Sequence, residues 1–482
     1  MPYIEGINRE LIQTTMERAH ISGLSVAFGK KDSISTTNIG KTDIDTTSAA
    51  SGVVPNTVFG AASLSKPVFA YLVLKLIENG VLSRPGEDAD KGLDRPLHEI
   101  LPLESFFRVH GKELSADDIE RAKAITPRMI LSHSSGIPMN GEAALNFEPG
   151  KEYEYSGIGL EYLQRTINNQ TGKSLEVLAQ EYVFGKSALD MEHSSFVPPG
   201  ASEDAANSAN SLFTTSSDYA KLMTAWMNDS NPIMQQAFVS QISLTQDKQK
   251  LPRETIPAAE HVDMAVKSHL AWGLGLGLEL DDEGKTVKAF HTGDMSQFRA
   301  QMALDLKEKS CITYLSKGDS DLHANGHILA PLIITPKIPI NYAHTWFYSK
   351  FPFAFNVEKL PVKPFYGLRE RDPAKIAEDS KAVREEFLSE KRPIPDSTDL
   401  SWLRDLPKGT RDIIYTVPAG EIEDPTVIAR IQLGVETLGY GFKITPSARL
   451  LEDVPTLADA SQMAPLAKPT EEVPDPTNSR PH

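Results

Sequence analysis

A tetrad, Ser63-Leu64-Ser65-Lys66, runs straight into the apolar stretch Pro67 to Asn79. That junction constrains the chain more than any other feature, because a serine and a lysine three residues apart meet when they share one helix face. The stretch supplies the helix: Val68, Phe69, Leu72, Val73, Leu76 and Ile77 recur at three- and four-residue spacing, and Gly80 is a normal stop. Pro67 falls in the first turn, where its missing N–H costs little. A serine hydroxyl is a poor nucleophile at neutral pH and must lose its proton as it attacks, and a lysine of lowered pKa one turn away can take it. The plain alternative is a capping serine beside a solvated lysine. Only the rest of the chain can choose between them.

Around this helix the pattern is sheet, then helices, then sheet. Gly23 to Phe28 reads as a strand, with Gly29-Lys30-Lys31-Asp32 turning into another. Strand-like pattern then lapses for about two hundred residues. It returns where Phe298, Ala300, Met302 and Leu304 alternate with Arg299, Gln301, Ala303 and Asp305, with Ser310 to Ser316 as hairpin partner and the single Cys311 inside it. The expected class is α/β, more narrowly α+β: an antiparallel sheet flanked by helices, an inserted mainly helical lobe, and active-site residues at the seam. Gly326 to Ile334 reads as a closing helix broken near Pro331.

At 482 residues the chain exceeds one ordinary core. Residues 1–340 read as the main domain. Residues 341–450 form a Pro- and aromatic-rich extension, in which Tyr342, Trp346, Phe347, Tyr348, Phe351, Phe353 and Phe355 crowd together. Such density should pack on the preceding domain, line its cleft or form a subunit contact. Within the extension, Ala374 to Lys391 reads as a charged helix and Thr426 to Ile444 as part of a small folded unit. Residues 451–482 read as a disordered acidic tail.

A net charge of −16 argues against nucleic-acid partners, which need a basic face. Apolar runs are too short for a membrane span, and the acidic N-terminus shows no Sec signal, so the expected location is cytoplasmic. Secretion without a signal peptide and homo-oligomerisation stay open. No cofactor is expected.

Further motifs follow the tetrad in order: Ile125-Thr126-Pro127-Arg128-Met129-Ile130-Leu131-Ser132-His133-Ser134-Ser135-Gly136-Ile137-Pro138, then Pro149-Gly150-Lys151-Glu152-Tyr153-Glu154-Tyr155-Ser156, then Ser211-Leu212-Phe213-Thr214-Thr215, then His291-Thr292-Gly293. From about residue 7 to 335 the chain resembles the serine β-lactamase-related superfamily, which has a penicillin-binding-protein-like fold. The superfamily includes class C β-lactamases, D,D-carboxypeptidases, D-aminopeptidases and family VIII-type esterases. The resemblance implies that Ser63 is the acylated nucleophile, Lys66 its partner and Tyr155 the second-motif tyrosine. It also implies that His291, Thr292, Gly293 and Asp294 bind substrate, with the N–H groups of Ser63 and Asp294 holding the oxyanion. Tyr153 is a neighbour that could stand in for Tyr155.

Three positions depart from the family pattern. Tyr155-Ser156-Gly157 replaces the usual Tyr-x-Asn, whose amide commonly contacts the substrate's acylamino carbonyl. Asp294 replaces a small residue and brings a carboxylate near a developing oxyanion. Gln297 replaces a frequent glycine. These favour a small ester, an amide or a peptide with D-residues over a β-lactam. They also keep alive a second class of function, a weak or silent member used as a binding scaffold.

His133 reads as structural. His323 and His327 have the i, i+4 spacing of metal ligands, but no third ligand is apparent and Gly326 interrupts the helix, so no metal site is expected. The run Glu87-Asp88-Ala89-Asp90 reads as a solvated loop.

Overall fold

The first and last strands of the main domain are side by side in the sheet. The structure is a computed structural model and describes residues 4–18, 21–31, 33–41, 52–139, 141–246, 264–295, 297–318, 325–340, 342–344, 346, 414–418 and 441–445. In chain order the strands are β1 (Ile21–Lys30), β2 (Ser33–Gly40), β3 (Phe59–Gly60), β4 (Phe213–Thr214), β5 (Ile242–Ser243), β6 (Leu270–Trp272), β7 (Gly277–Leu280), β8 (Thr286–Met295), β9 (Phe298–Asp305) and β10 (Ser310–Gly318). Eight of them form one sheet in the order β2-β1-β10-β9-β8-β7-β6-β5, antiparallel throughout. β3 pairs with β4 apart from it, Phe59 opposite Thr214.

The expected strands appear, with the 298–305 and 310–316 segments paired as read. The sheet also takes in β5, β6 and β7, which precede the third motif. At two to four residues each, they are too short to show a period-two pattern. The closing segment is two short pieces instead of one helix, a 3₁₀ turn at Asn325–Leu329 and then Ala330–Ile333, with Pro331 in the first turn of the second piece. Ile414–Pro418 and Gly441–Thr445 form a parallel pair in the extension. Ala374 to Lys391, Thr426 to Tyr440 and everything after Thr445 lie outside the described residues.

The helices that build the lobe and flank the sheet are α1 (Arg9–Arg18), α2 (Ser65–Glu78), α3 (Leu103–Val109), α4 (Ala116–Ala122), α5 (Pro127–Leu131), α6 (Gly157–Thr171), α7 (Leu175–Ala179) and α8 (Ser216–Asn228). Their starts are written in the sequence. Thr126, Ser156, Ser174 and Thr215 each accept from the backbone N–H three residues on, a cap worth about 1 kcal/mol.

α2 is buried nearly all round. Ala70, Tyr71 and Leu74 are enclosed along with the six residues of the expected apolar face. A helix apolar on every side belongs in the middle of a protein. Here Val68, Phe69 and Leu72 share a core with Trp226 of α8 and with Leu278, Met302 and Leu315 on one face of the sheet. Alternate strand residues point the other way. Val26, Ile312 and Tyr314 pack with Leu11 and Ile12 of α1 and with Ile334, Ile338 and Trp346. Each such large side chain removed from water stabilises the fold by about 1.5 to 3 kcal/mol. None of the described helices is long and apolar enough to cross a membrane.

Candidate active site

Ser63 occupies the 3₁₀ turn Ala62–Leu64 that leads into α2. The turn is held from several sides. Ser65 Oγ donates to Ala62 O at 2.6 Å and accepts from Leu212 N at 2.9 Å, Ala61 N donates to Leu212 O at 2.8 Å, and Tyr219 Oη donates to Leu64 O at 3.0 Å. The middle serine of the tetrad therefore fastens the turn and leaves Ser63 free for the cleft. Ala62 has φ +49°, a left-handed conformation unusual for a residue with a Cβ. Backbone strain of this kind costs on the order of 1 to 3 kcal/mol and persists only where the surroundings enforce it.

Lys66, almost wholly buried, lies with Nζ 2.9 Å from Ser63 Oγ and 2.7 Å from Ala209 O. The helical spacing thus delivers the contact that the sequence promises. The Ala209 carbonyl is held by α6 and its own loop: Gln164 Nε2 donates to Ala206 O, Ser208 N donates to Gln164 Oε1, and Ala209 N donates to Asn207 Oδ1. Gly157 begins α6 against this loop. A Cβ there would stand 3.3 Å from that of Ala209, a tight approach that would require the loop to give by a few tenths of an ångström.

Tyr155 faces the same point, close enough for the Ser63 side chain to act on its phenol. Lys66 Nζ is 4.8 Å from its ring centroid. Burial among rings pushes the phenol well above its ordinary pKa, although Ser63 works the other way, so the group is protonated at neutral pH. Tyr153, the alternative, is fully buried and packs edge-on against His133 and tilted against Trp272.

The ring that positions Tyr155 most closely is His133, 4.5 Å away centroid to centroid. His133 also adopts a left-handed backbone, φ +55°, and its Nδ1 accepts from Ser156 N at 3.1 Å. It joins the 132–136 turn to the second motif. Burial and the nearby Lys66 charge hold it neutral.

His291, Thr292, Gly293 and Asp294 lie on β8 where β7 no longer accompanies it, the last β7 partner being Phe290. Gly293 is required by close approach: a Cβ would meet Ala61 O at 2.4 Å, so β8 passes directly against the turn that carries Ser63. Met295 and Phe298 flank a two-residue connection, and paired classes alternate from there. Asp294, opposite Arg299, then falls in a non-hydrogen-bonded pair with its N–H turned away from β9.

His291 is buried, with Nδ1 2.8 Å from Thr292 O and Nε2 without a hydrogen-bond partner among the described residues. Burial, with the Lys66 charge second, lowers its pKa to about 3. A neutral imidazole that donates from Nδ1 presents an acceptor at Nε2. It cannot supply the cation that a lysine would bring to this position.

The Asp294 carboxylate corrects the sequence reading. It does not stand uncompensated beside the oxyanion site, because Arg299 Nε lies 3.1 Å from Oδ1 and His327 Nε2 lies 3.0 Å from Oδ2. Both partners are buried. Burial lowers the His327 pKa, and Asp294 acts against that shift. His327 is thus committed to a carboxylate, while His323 lies outside the described residues. Among the described residues no group of three or more His, Cys, Asp or Glu side chains could hold a metal.

Sequence reasoning missed Ala209 and Trp272, and named Arg299 and His327 without their tie to Asp294. Arg299 carries a readable signal, since a two-residue hairpin after Met295 sets residue 299 opposite residue 294. The others are brought in by tertiary packing.

Two partial relatives of known sequence are similar to parts of the chain. An uncharacterized protein of Alkalihalophilus pseudofirmus is 25% identical over 171 residues, which is 35% of this chain and 44% of that protein. A probable fimbrial assembly protein, serogroup H1, of Dichelobacter nodosus is 28% identical over 149 residues, 26% of this chain and 33% of that protein. The chain thus spans less than half the length of either.

Solved structures with a similar fold include a β-lactamase/D-alanine carboxypeptidase from Yersinia pestis complexed with citrate (14% identity, 65% of this chain and 94% of that one, TM-score 0.47). Another is an octameric penicillin-binding protein homologue from Pyrococcus abyssi (17% identity, 67% and 76%, TM-score 0.48). The Beta-lactamase family model matches residues 8–330, from the segment before α1 to the closing turn, and so takes in every residue of the cleft described above. The chain belongs to the Beta-lactamase family.

Proposed function

We propose that the protein is a serine hydrolase that works through an acyl-Ser63 intermediate on a small ester, an amide or a peptide with D-residues. The observation that carries this reading is Lys66 Nζ, which lies 2.9 Å from the Ser63 hydroxyl and 4.8 Å from the centroid of the Tyr155 ring.

The chemistry follows from which groups can hold a proton. Lys66 in its amine form offers one lone pair, and with an N–H given to Ala209 O that lone pair can face Ser63. As Ser63 Oγ bonds to the substrate carbonyl carbon, its proton passes to Lys66 Nζ. Tyr155, protonated at neutral pH, gives its proton to the departing oxygen or nitrogen and recovers one from Lys66. Proton transfers of this kind are worth about a hundred- to ten-thousand-fold each.

The oxyanion is held by the N–H groups of Ser63 and Asp294, on the turn and the strand that Gly293 lets come together. The start of α2 adds partial positive charge there. Water then replaces the leaving group, and the same carriers run in the opposite order.

The departure at Gly157 supports an ester or peptide substrate over a β-lactam, since the second-motif amide is absent and a Cβ at Gly157 would press on Ala209. A fluorophosphonate probe followed by peptide mapping tests the reading. The expected adduct is on the peptide containing Ser63. Labelling elsewhere, or none, removes the hydrolase reading and leaves the binding-scaffold one.

A further inference from the structure

Past the closing turn, residues 342–344 and 346 contact the sheet. Ala343 N donates at 2.8 Å to Glu279 Oε1, part of a buried carboxylate of β7, and the Tyr342 backbone lies near enough to act on the same group. The Tyr342 ring lies flat on His269, 4.3 Å between centroids and 6° between planes. His344 is buried against Gln301 of β9, Nε2 to Nε2 at 2.9 Å. These grips deliver Trp346, 7% exposed, onto Trp272 at 6.4 Å and Phe290 at 6.5 Å.

Trp272 is the ring that joins this segment to the cleft. Its centroid is 5.6 Å from His291, 5.4 Å from His133 and 6.1 Å from Tyr155. Its Nε1–H is buried and finds no hydrogen-bond partner among the described residues. Among the described residues no polar anchor sets the tilt of this indole, so the packing behind it must, and Trp346 is part of that packing.

We propose that Trp346 is a positioning residue for acyl transfer: seated behind Trp272, it fixes the indole wall on which Tyr155, His133 and His291 rest. The proposal rests on the hydrolase reading. It gives the first residues of the extension a share in the active site, because removing the Trp346 indole leaves a space into which Trp272 can tilt.

The test uses the full chain and p-nitrophenyl acetate. Trp346→Ala should lower kcat about ten- to a hundredfold, the scale of a misplaced catalytic group, with KM little changed. Fluorophosphonate labelling of Ser63 should slow in proportion, and Trp346→Phe should recover most of the loss. Glu279→Ala, which frees the segment from its other end, should reproduce the kcat loss and covers the case in which Trp346→Ala fails to fold.

Imidazole ¹⁵N spectra supply a readout that packing loss at residue 346 alone would not move: the His133 and His291 signals should shift in both alanine variants. Wild-type kcat in a folded Trp346→Ala protein overturns the proposal, as does a kcat loss with both imidazole signals in place. A wild-type protein that fails to label at Ser63 removes the hydrolase reading instead. The imidazole shifts then decide the ring coupling, and unmoved signals overturn it.

Discussion

The two walls of the cleft reach their geometry by different routes. On the Ser63 wall, nucleophile and base are three residues apart, and one helical turn brings them to 2.9 Å. On the His291 wall, the charge of Asp294 is offset by Arg299 on the neighbouring strand and met by His327 beyond the last strand. A local constellation survives translation into sequence because helix geometry fixes it. An electrostatic balance assembled across the sheet does not, and the sign of its effect can be misread from one residue taken alone.

The sharpest way to break the comparison is on the local wall. Lys66→Ala and Tyr155→Phe should each cut turnover of p-nitrophenyl esters about a hundred- to ten-thousand-fold, with KM and Tm changing far less. A near-normal kcat in both would show that the Ser63–Lys66–Tyr155 grouping does not carry the proton transfers.

Legibility follows the same divide. The α2 face, the hairpin from β9 to β10 and the ordered motifs could be read because period and spacing are local properties. The full burial of Ala70 and Leu74 could not, since it depends on α8 and the sheet closing on the remaining side of α2. Ser65 shows the limit within the tetrad itself: spacing excludes it as the partner of Lys66, but its hold on Ala62 O and Leu212 N could not be read from four residues. Trp346 was legible only as an aromatic that must be covered. Its partners Trp272 and Phe290 come from strands far earlier in the chain.

Acid should act chiefly through the second wall and its supports. His133, His291, His327 and His344 all have pKa values lowered by burial, His291 and His344 to about 3. Below about pH 6.5 the unfolded chain takes up protons that the folded chain refuses, so each imidazole removes up to about 1.4 kcal/mol of stability per pH unit. Glu279 runs the other way. Burial raises its pKa to about 7, so between pH 7 and its unfolded value near 4.5 the folded chain binds the extra proton and gains stability as pH falls. Four imidazoles outweigh one carboxyl, and Tm should fall as pH drops from 6.5 to 5. Glu279→Gln should make that fall steeper. A flat or rising Tm across this window would mean that the imidazoles are not held neutral.

The smallest effect asks whether the long-range pairing matters to the chemistry at all. A lone ionised carboxylate at Asp294 would oppose the oxyanion, whereas one paired with buried Arg299 is largely cancelled where it stands. Asp294→Asn alone should therefore change the acylation rate no more than about threefold in either direction, roughly 0.7 kcal/mol. Arg299→Met uncovers the carboxylate. It should slow acylation about tenfold and cost on the order of 3 to 5 kcal/mol of stability, as expected when one partner of a buried pair is removed. Adding Asp294→Asn to Arg299→Met removes the uncovered charge and should restore much of both losses, which is the coupling a double-mutant cycle measures. Pre-steady-state acylation of the three variants decides the matter. A large acceleration in Asp294→Asn alone would show that Arg299 leaves the carboxylate's field intact, and an unrescued double variant would show that Arg299 serves the cleft by some route other than its pairing with Asp294.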